Sequence, residues 1–570
     1  MIGVIANLSE HGVIREFFEL FKTPWEFYRS DRRYDVLLCA GDAPFPPTAA
    51  KLVIVYASSK TLADTEVEID SQRRSTLLSY KGGRIPVYEG SITFRHKGCG
   101  ILTDEIFHES AGYLQQSNGS TLARIGYDLF REVHTLLTVG QPTANASIPT
   151  LDMHIALLRD LIIGSGVPLV EVPPIPDGSS FIACLTHDVD HPAIRHHKWD
   201  HTMFGFLYRA VIGSLIAVVR RRAPVRHLLT NWAAALKLPL VHLGLAKDFW
   251  YQFDRYLEIE KGLRSTFFVI PFKNCPGQSA AGQAPQIRAS SYAARDIADH
   301  LRRFVSAGCE VGLHGINAWL DSSKGREELD EIARITGVQS LGVRMHWLYF
   351  DDHSPLTLEK AGFSYDSTMG YNETVGYRAG TGQVFRPLGA KTLLEIPLHI
   401  QDGALFYPQR LDLSEPEAQG RCQILIDNAA KFGGVLTLLW HDRSHAPERC
   451  WGDLYIRLLR TLKATDCWFG TAGQVVDWFR KRREVRFELV ETEDGGACAC
   501  PCYDGEEVVP PLKIRLHRPC GEGNDSAMSS PAASDFVDIP WNGVSRDEIG
   551  QLLQESFVGP SDPVRAELAS

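Results

Sequence analysis

Short apolar runs alternate along this chain with stretches of helical spacing, and most of the runs end in a charged or histidine side chain. Phe181-Ile182-Ala183-Cys184-Leu185 leads into Thr186-His187-Asp188-Val189-Asp190-His191. A run of that length, closed by polar residues, predicts a buried parallel strand whose C-terminal end carries chemistry. Residues two apart on a strand share a face, so Asp188 and Asp190 point the same way. The pattern recurs at Ser265–Pro271, Cys309–Gly315, Leu341–Trp347, Leu394–His399 and Val435–Asp442, with Phe249–Lys261 and Tyr292–Ala307 as helices between. Strand and helix in alternation, polar at the strand ends, predict an α/β protein with a (β/α) barrel or a doubly wound sheet over 179–480.

The flanks obey the same logic. Gly3–Ala6, Tyr34–Gly41 and Lys51–Tyr56 predict strands and Gly12–Phe21 a helix, giving an α/β, Rossmann-like N-terminal domain over 1–110. Spacing over Asp104–Gln115, Ser120–Thr138 and Leu151–Gly164 predicts helices, so 111–178 reads as a helical connector, closed by a proline cluster at Pro168, Pro173, Pro174 and Pro176. Inside the barrel region, 195–248 reads as a helical insertion. Its segment 204–226 is apolar with a basic flank of Arg220, Arg221, Arg222 and Arg226, a pattern that covers another part of the protein or makes peripheral contact with an anionic membrane. Alternation at Glu484–Glu491 and Leu512–His517 predicts a small antiparallel β unit over 481–520. A mobile tail is expected over 521–570, with a short helix near Arg546–Glu555.

Composition narrows the function classes. With 44% hydrophobic and 22% charged residues, the chain is of globular type, and a net charge of −10 argues against a nucleic-acid partner. Met1-Ile2-Gly3-Val4-Ile5-Ala6 passes straight into a polar turn, without a basic-then-apolar leader, so a cytoplasmic location is the expectation. The twelve cysteines include no CxxC pair, which suits reduced thiols. Cys498, Cys500, Cys502 and Cys520 form a separate cluster with strand spacing, a weaker soft-metal candidate.

The strand ends, in order, resemble the polysaccharide deacetylases, the NodB-homology or carbohydrate esterase 4 group, over about 180 to 480. Thr186-His187-Asp188-Val189-Asp190 resembles the first motif and His314 stands where the second begins; Arg344–Trp347 is similar to the third, Asp366 lies near the fourth, and Leu438-Leu439-Trp440-His441 resembles the last. The resemblance implies a deacetylase-like (β/α) barrel and metal-assisted removal of an acetyl group from a carbohydrate, an amino sugar or polysaccharide precursor. It implies zinc as the divalent metal, held by Asp190 and His314, with Asp188 as base, His441 as acid, Arg344 paired with Asp188, and Asp366 orienting His441. Trp319, Trp347, Tyr349 and Tyr371 suit a sugar-stacking cleft.

One position departs from the pattern. The second motif of that group has two histidines four apart, and Ala318 stands at the second. The third ligand is open among Asn317, His191, His346 and His353, with Asn317 as the working assignment. Two other functions arise from the departure and from the relatives of the group: a homologue that binds glycan or protein without turnover, and a hydrolase of another non-peptide C–N bond. The oligomeric state is not legible.

Overall fold

The computed structural model describes residues 1–41, 50–65, 67–95, 100–117, 119–221, 224–491, 497–505, 508–519 and 536–541. Two compact units result: Pro142–Ser147 with Gly178–Asp477, and Met1–Gln141 with Ile148–Asp177 and Trp478–Ser570.

The unit containing residues 178–477 is built on a nine-stranded sheet. Its strands are β1 (Phe181–Val189), β2 (Ser265–Val269), β3 (Glu310–Gly315), β4 (Val343–Met345), β5 (Tyr365–Asp366), β6 (Leu394–Glu395), β7 (Ile400–Gln401), β8 (Val435–Leu439) and β9 (Cys467–Phe469). They run in the order β6-β5-β4-β3-β2-β1-β8-β7, all pairings parallel, while β9 pairs the first residues of β1. The sheet curls into a half-barrel. β1, β2 and β8 are buried along their whole length, which is why their sequences are continuous apolar runs and do not alternate.

Helices α1 (His201–Leu207), α2 (Ser214–Val219) and α3 (Val225–His242) form the insertion between β1 and β2, with a π turn at Tyr208–Gly213 joining the first two. Further helices are α4 (Phe253–Ile259) before β2, α5 (Ala298–Ser306) after β2, α6 (Ser322–Thr336) after β3, α7 (Ser354–Ala361) after β4, α8 (Asp402–Phe406) and α9 (Glu415–Phe432) after β7, and α10 (Gly452–Lys463) after β8. α6 shows how locally these are specified. The Asp321 carboxylate accepts from the Ser323 and Lys324 amides at its start, and Gly337 ends it at φ 76°, where a side chain would be strained. Leu329, Ile332 and Ile335 face the sheet and join a core with Leu313, Val343 and Leu358.

The other unit has an eleven-stranded mixed sheet. Ile2–Ile5, Val36–Ala40, Leu52–Tyr56 and Ser120–Ile125 pair in parallel, and antiparallel strands continue from Ser110–Ser117. This corrects the helices expected over Asp104–Gln115 and Ser120–Thr138. Ser110–Ser117 and Ser120–Ile125 are a hairpin that turns at Gly119, φ 80°, and Thr121–Ile125 lies against Leu52–Tyr56 across sixty-odd intervening positions. Long-range pairing overrides local spacing there. The helix starts only at Leu129, where the Asp128 carboxylate accepts from the Phe130 and Arg131 amides. Late in the chain, Lys513–His517 pairs with Leu169–Glu171, and Arg486–Glu491 with Ala497–Cys502. Glu171 is held by Arg159 through two 2.8 Å hydrogen bonds and by His517 at 3.2 Å. The side chain of Cys498, the whole of Cys520 and residues 542–570 of the tail lie outside the described residues, as does 521–535.

Candidate active site

Three strand ends supply the centre of the site. β1 delivers Asp188 and, one residue past the strand, Asp190; β3 delivers His314; β4 delivers Arg344 and then His346. Asp190 Oδ1, His314 Nε2 and His346 Nδ1 converge, the two nitrogens 3.0 Å apart and the oxygen 3.4 Å from each. The hydrogen bonds on the far side of each ring fix what faces inward. His314 Nδ1 lies 2.9 Å from the Arg344 carbonyl and His346 Nε2 lies 3.1 Å from the Arg288 carbonyl. A carbonyl only accepts, so those nitrogens carry the protons and the two inward nitrogens of neutral rings are bare lone pairs. Burial keeps His346 below its ordinary pKa, toward the neutral form.

Two bare nitrogens and a carboxylate oxygen in contact, with no proton to share, fit a cation between them. Four tetrahedral ligands at about 2 Å from zinc stand roughly 3.3 Å from one another, close to the separations found. Asp190 Oδ1 has no hydrogen-bond donor aimed at it, though buried. The cluster is therefore an Asp-His-His site able to chelate a divalent metal.

His346 is aimed by an unusual backbone. Trp347 and Leu348 both adopt left-handed φ, 63° and 54°, which costs bulky side chains of order 1–2 kcal/mol each. Arg288 holds that turn in place: its buried guanidinium donates to the carbonyls of His346 (2.7 Å), Ile316 (3.2 Å) and Pro276 (2.6 Å). The Glu328 carboxylate accepts from the Ile316 and Asn317 amides at 2.9 and 2.8 Å and fixes the loop after β3.

The working assignment of Asn317 as third ligand is corrected by this arrangement. Asn317 Oδ1 accepts from the Gln278 amide at 3.0 Å, and His346 completes the cluster. Ala318 is fully buried in the core, and a Cβ on neighbouring Gly325 would meet it at 3.3 Å, so an imidazole there would overpack. His353 is exposed at the start of α7, and His191 meets His197 edge to face with Trp250 nearby, its amide donating to Asp442.

On either side of the cluster stand the two remaining groups. Asp188 Oδ1 accepts from Arg344 Nη1 at 3.0 Å, and Oδ2 lies 3.7 Å from His314 Nε2, facing the centre. Arg344, fully buried over the Phe268 ring at 4.5 Å, also donates to Thr186 Oγ1, the Ser367 carbonyl and Ser367 Oγ, so its fork is fixed. Across from them, His441 Nε2 lies 3.7 Å from Asp190 Oδ2. Its Nδ1 is 2.5 Å from Asp402 Oδ1, and its amide donates to Asp402 Oδ2 at 2.8 Å. Burial opposes a charge on His441, but Asp402, Asp190 and Asp188 outweigh it and raise the ring to about 10.

Asp366 was expected to orient His441; Asp402, the first residue of α8, stands there. Asp366 instead lies beside Glu395 in the β5–β6 register, both buried. Desolvation, then their mutual repulsion, pushes Glu395 well above its ordinary value, and desolvation raises Asp366 to about 6. Asp366 accepts from Thr368 Oγ1 at 2.5 Å, and that hydroxyl accepts from the Met345 amide, so the pair braces β4 from below. His187, on the opposite face of β1 from the acids, clamps the Trp440 carbonyl and Glu260 at 2.8 and 2.9 Å. His399 is a satisfied core residue, between the Thr437 amide and the Thr381 carbonyl.

Fold and site together define an α/β half-barrel with an Asp-His-His cluster, able to chelate a divalent metal, at the C-terminal ends of its strands. No protein-family model matches the chain, and no curated protein does. Among solved structures, the chain is similar to the carbohydrate deacetylase Agd3, at 7% identity over 95% of this chain and 98% of that one, TM-score 0.38. It is similar to the allantoinase Puue at 14% identity over 54% and 92%, TM-score 0.33. A third is the polysaccharide deacetylase Bc1974 from Bacillus cereus, at 13% identity over 51% and 91%, TM-score 0.25. Likenesses at TM-scores this low bear on neither the reaction nor the substrate.

Proposed function

We propose that the chain is a zinc-dependent hydrolase that removes an acetyl group from an amino sugar or polysaccharide precursor. One observation carries the reading: the Asp-His-His cluster lies between an arginine-held carboxylate, Asp188, and a carboxylate-held histidine, His441. A divalent ion bound there supplies Lewis acidity toward an acyl carbonyl and acidifies a water. Asp188, its Oδ1 occupied by Arg344, presents Oδ2 to take the proton of the attacking water. His441, held as imidazolium by Asp402, gives its Nε2 proton to the nitrogen that leaves, so the products are acetate and the amine. Arg344 and Asp402 are positioning residues whose own bonds leave one geometry to each partner.

A sugar substrate is supported by Trp347, 37% exposed beside the ligand His346 and 6.2 Å from the Tyr349 ring, a platform of the kind sugar faces stack on. The reading without turnover rested on the missing second-motif histidine, and His346 removes that motive. Hydrolysis of another C–N bond shares all these residues and differs only in the product.

The test is elemental analysis of chelator-free protein together with acetate release from N-acetylated chito-oligosaccharides. About one equivalent of zinc in the wild type, retained in Asp188→Asn without turnover and absent in Asp190→Ala, is the expected result. Equal metal in wild type and Asp190→Ala would sink the ligand assignment. Metal with no acetate release, but with ammonia or a ring-opened product from cyclic amides, would move the reaction to the other bond class.

A further inference from the structure

The helical insertion has two apolar faces, and the fold covers one. On the inner face Met203, Phe206, Ala234 and Leu238 close over Trp250 and Ala446. On the outer face Phe204 (52% exposed), Val219 (74%), Leu229 (62%) and Leu236 (82%) point away from the unit, with Leu215 and Leu240 between them. With Tyr208, Val211 and Trp232, also exposed, these side chains recur every three or four residues and make a stripe along each limb. Half of the exposed large apolar side chains among the described residues fall in the single stretch from Trp199 to Leu245. Isolated exposed leucines need no explanation, but a continuous apolar face does.

Charge says what covers it. From His201 to Lys247 the sequence carries seven Lys and Arg and no Asp or Glu, in a chain of net charge −10. Arg220, Arg221, Lys237 and Lys247 are exposed; Arg226 reaches Asp453 at 3.6 Å. An acidic protein that gathers bases around such an apolar face presents the complement of anionic lipid: side chains for the acyl boundary, guanidinium and ammonium groups for the phosphates. A second copy would oppose this face with the same positive charge.

Geometry separates lying on a bilayer from crossing it. His201–Val219 is long and apolar enough to cross, with 22% of it buried. Yet α3 folds back on it, Trp232 Nε1 donating to the Val211 carbonyl at 3.3 Å, and the two ends join β1 and β2, which are paired neighbours. Inner-face contacts hold both limbs along the unit and leave only the outer stripe for lipid. We propose that the α1–α3 hairpin docks the protein, by that face, on the surface of an anionic bilayer.

Vesicle co-sedimentation of the full chain tests this, with phosphatidylcholine alone against phosphatidylcholine mixed with phosphatidylglycerol. The expected result is sedimentation with the anionic vesicles, weakened by salt. It should fall at least about ten-fold in Arg220→Glu/Arg221→Glu and likewise in Leu215→Glu/Leu236→Glu. Metal content unchanged in both variants shows that the barrel is folded. Three outcomes would overturn the proposal: no wild-type sedimentation, equal sedimentation with both vesicles, or a wild-type dimer in light scattering that the leucine variant converts to a monomer, which would assign the face to a second copy.

Discussion

Ala318 and Asn317, the two residues at and beside the position where a ligand was expected, show how the site is assembled. Ala318 is core and Asn317 is committed to Gln278, while His346 arrives from the next strand end through the left-handed turn at Trp347 and Leu348. His346→Ala should therefore weaken zinc affinity by roughly 100-fold or more, since losing a ligand exceeds losing an outer hydrogen bond. Asn317→Ala should leave affinity unchanged. Calorimetric titration of zinc into metal-free protein measures both, and the opposite ranking would return the ligand to the loop after β3. The residues that sequence placed at strand ends, Asp188, Asp190, His314, Arg344 and His441, do meet at one end of the sheet, because a buried run that ends in polar groups marks that end. Asp402 was missed for a physical reason. It comes after β7, only two residues long, and the apolar pattern had already stopped at His399. Arg288 was equally hidden, since it acts on backbone carbonyls, which no side-chain pattern reports.

At the scale of elements, the segment from β6 to β7 carries the chain from one edge of the sheet to the other, and His399 lies within it. Burial holds His399 at about 4 against an ordinary 6.5, and its Nδ1 must stay bare to accept the Thr437 amide. Between those values the unfolded chain binds a proton that the folded chain refuses. The contribution is thus complete above pH 6.5 and is lost as pH falls toward about 4, at roughly 1.4 kcal/mol per pH unit and about 3 kcal/mol in all. His399→Gln keeps an acceptor and a donor but cannot titrate. Its urea midpoint should fall less than that of the wild type between neutral and mildly acidic pH, and parallel curves would exclude His399 as the source. The long buried strands β1, β2, β3 and β8 were legible as apolar runs. The two-residue strands β5 and β7 were not, having too few positions for any period; β6 is only the first two residues of the run read over Leu394–His399, and the hairpin over Ser110–Ile125 was not legible, because its partner Leu52–Tyr56 is far away in sequence.

For the whole molecule, connectivity matters more than the order of elements. Read linearly, the chain looked like a barrel between an N-terminal domain and a β appendage. By contacts, the unit of residues 178–477 is inserted into a unit made of what precedes and succeeds it, and Lys513–His517 completes a sheet begun at Leu169–Glu171. No local pattern announces a pairing across more than three hundred residues. The division also predicts how metal acts on stability. The Asp190-His314-His346 cluster lies wholly within one unit, so ligand binding stabilises that unit alone, by about 4 kcal/mol at a thousand-fold excess over the dissociation constant. Calorimetry should show two transitions, one falling when chelator replaces zinc and the other unmoved. His346→Ala should put the metal-sensitive transition where chelator puts it in the wild type. A single transition that shifts as a whole would mean that the two units unfold as one cooperative body.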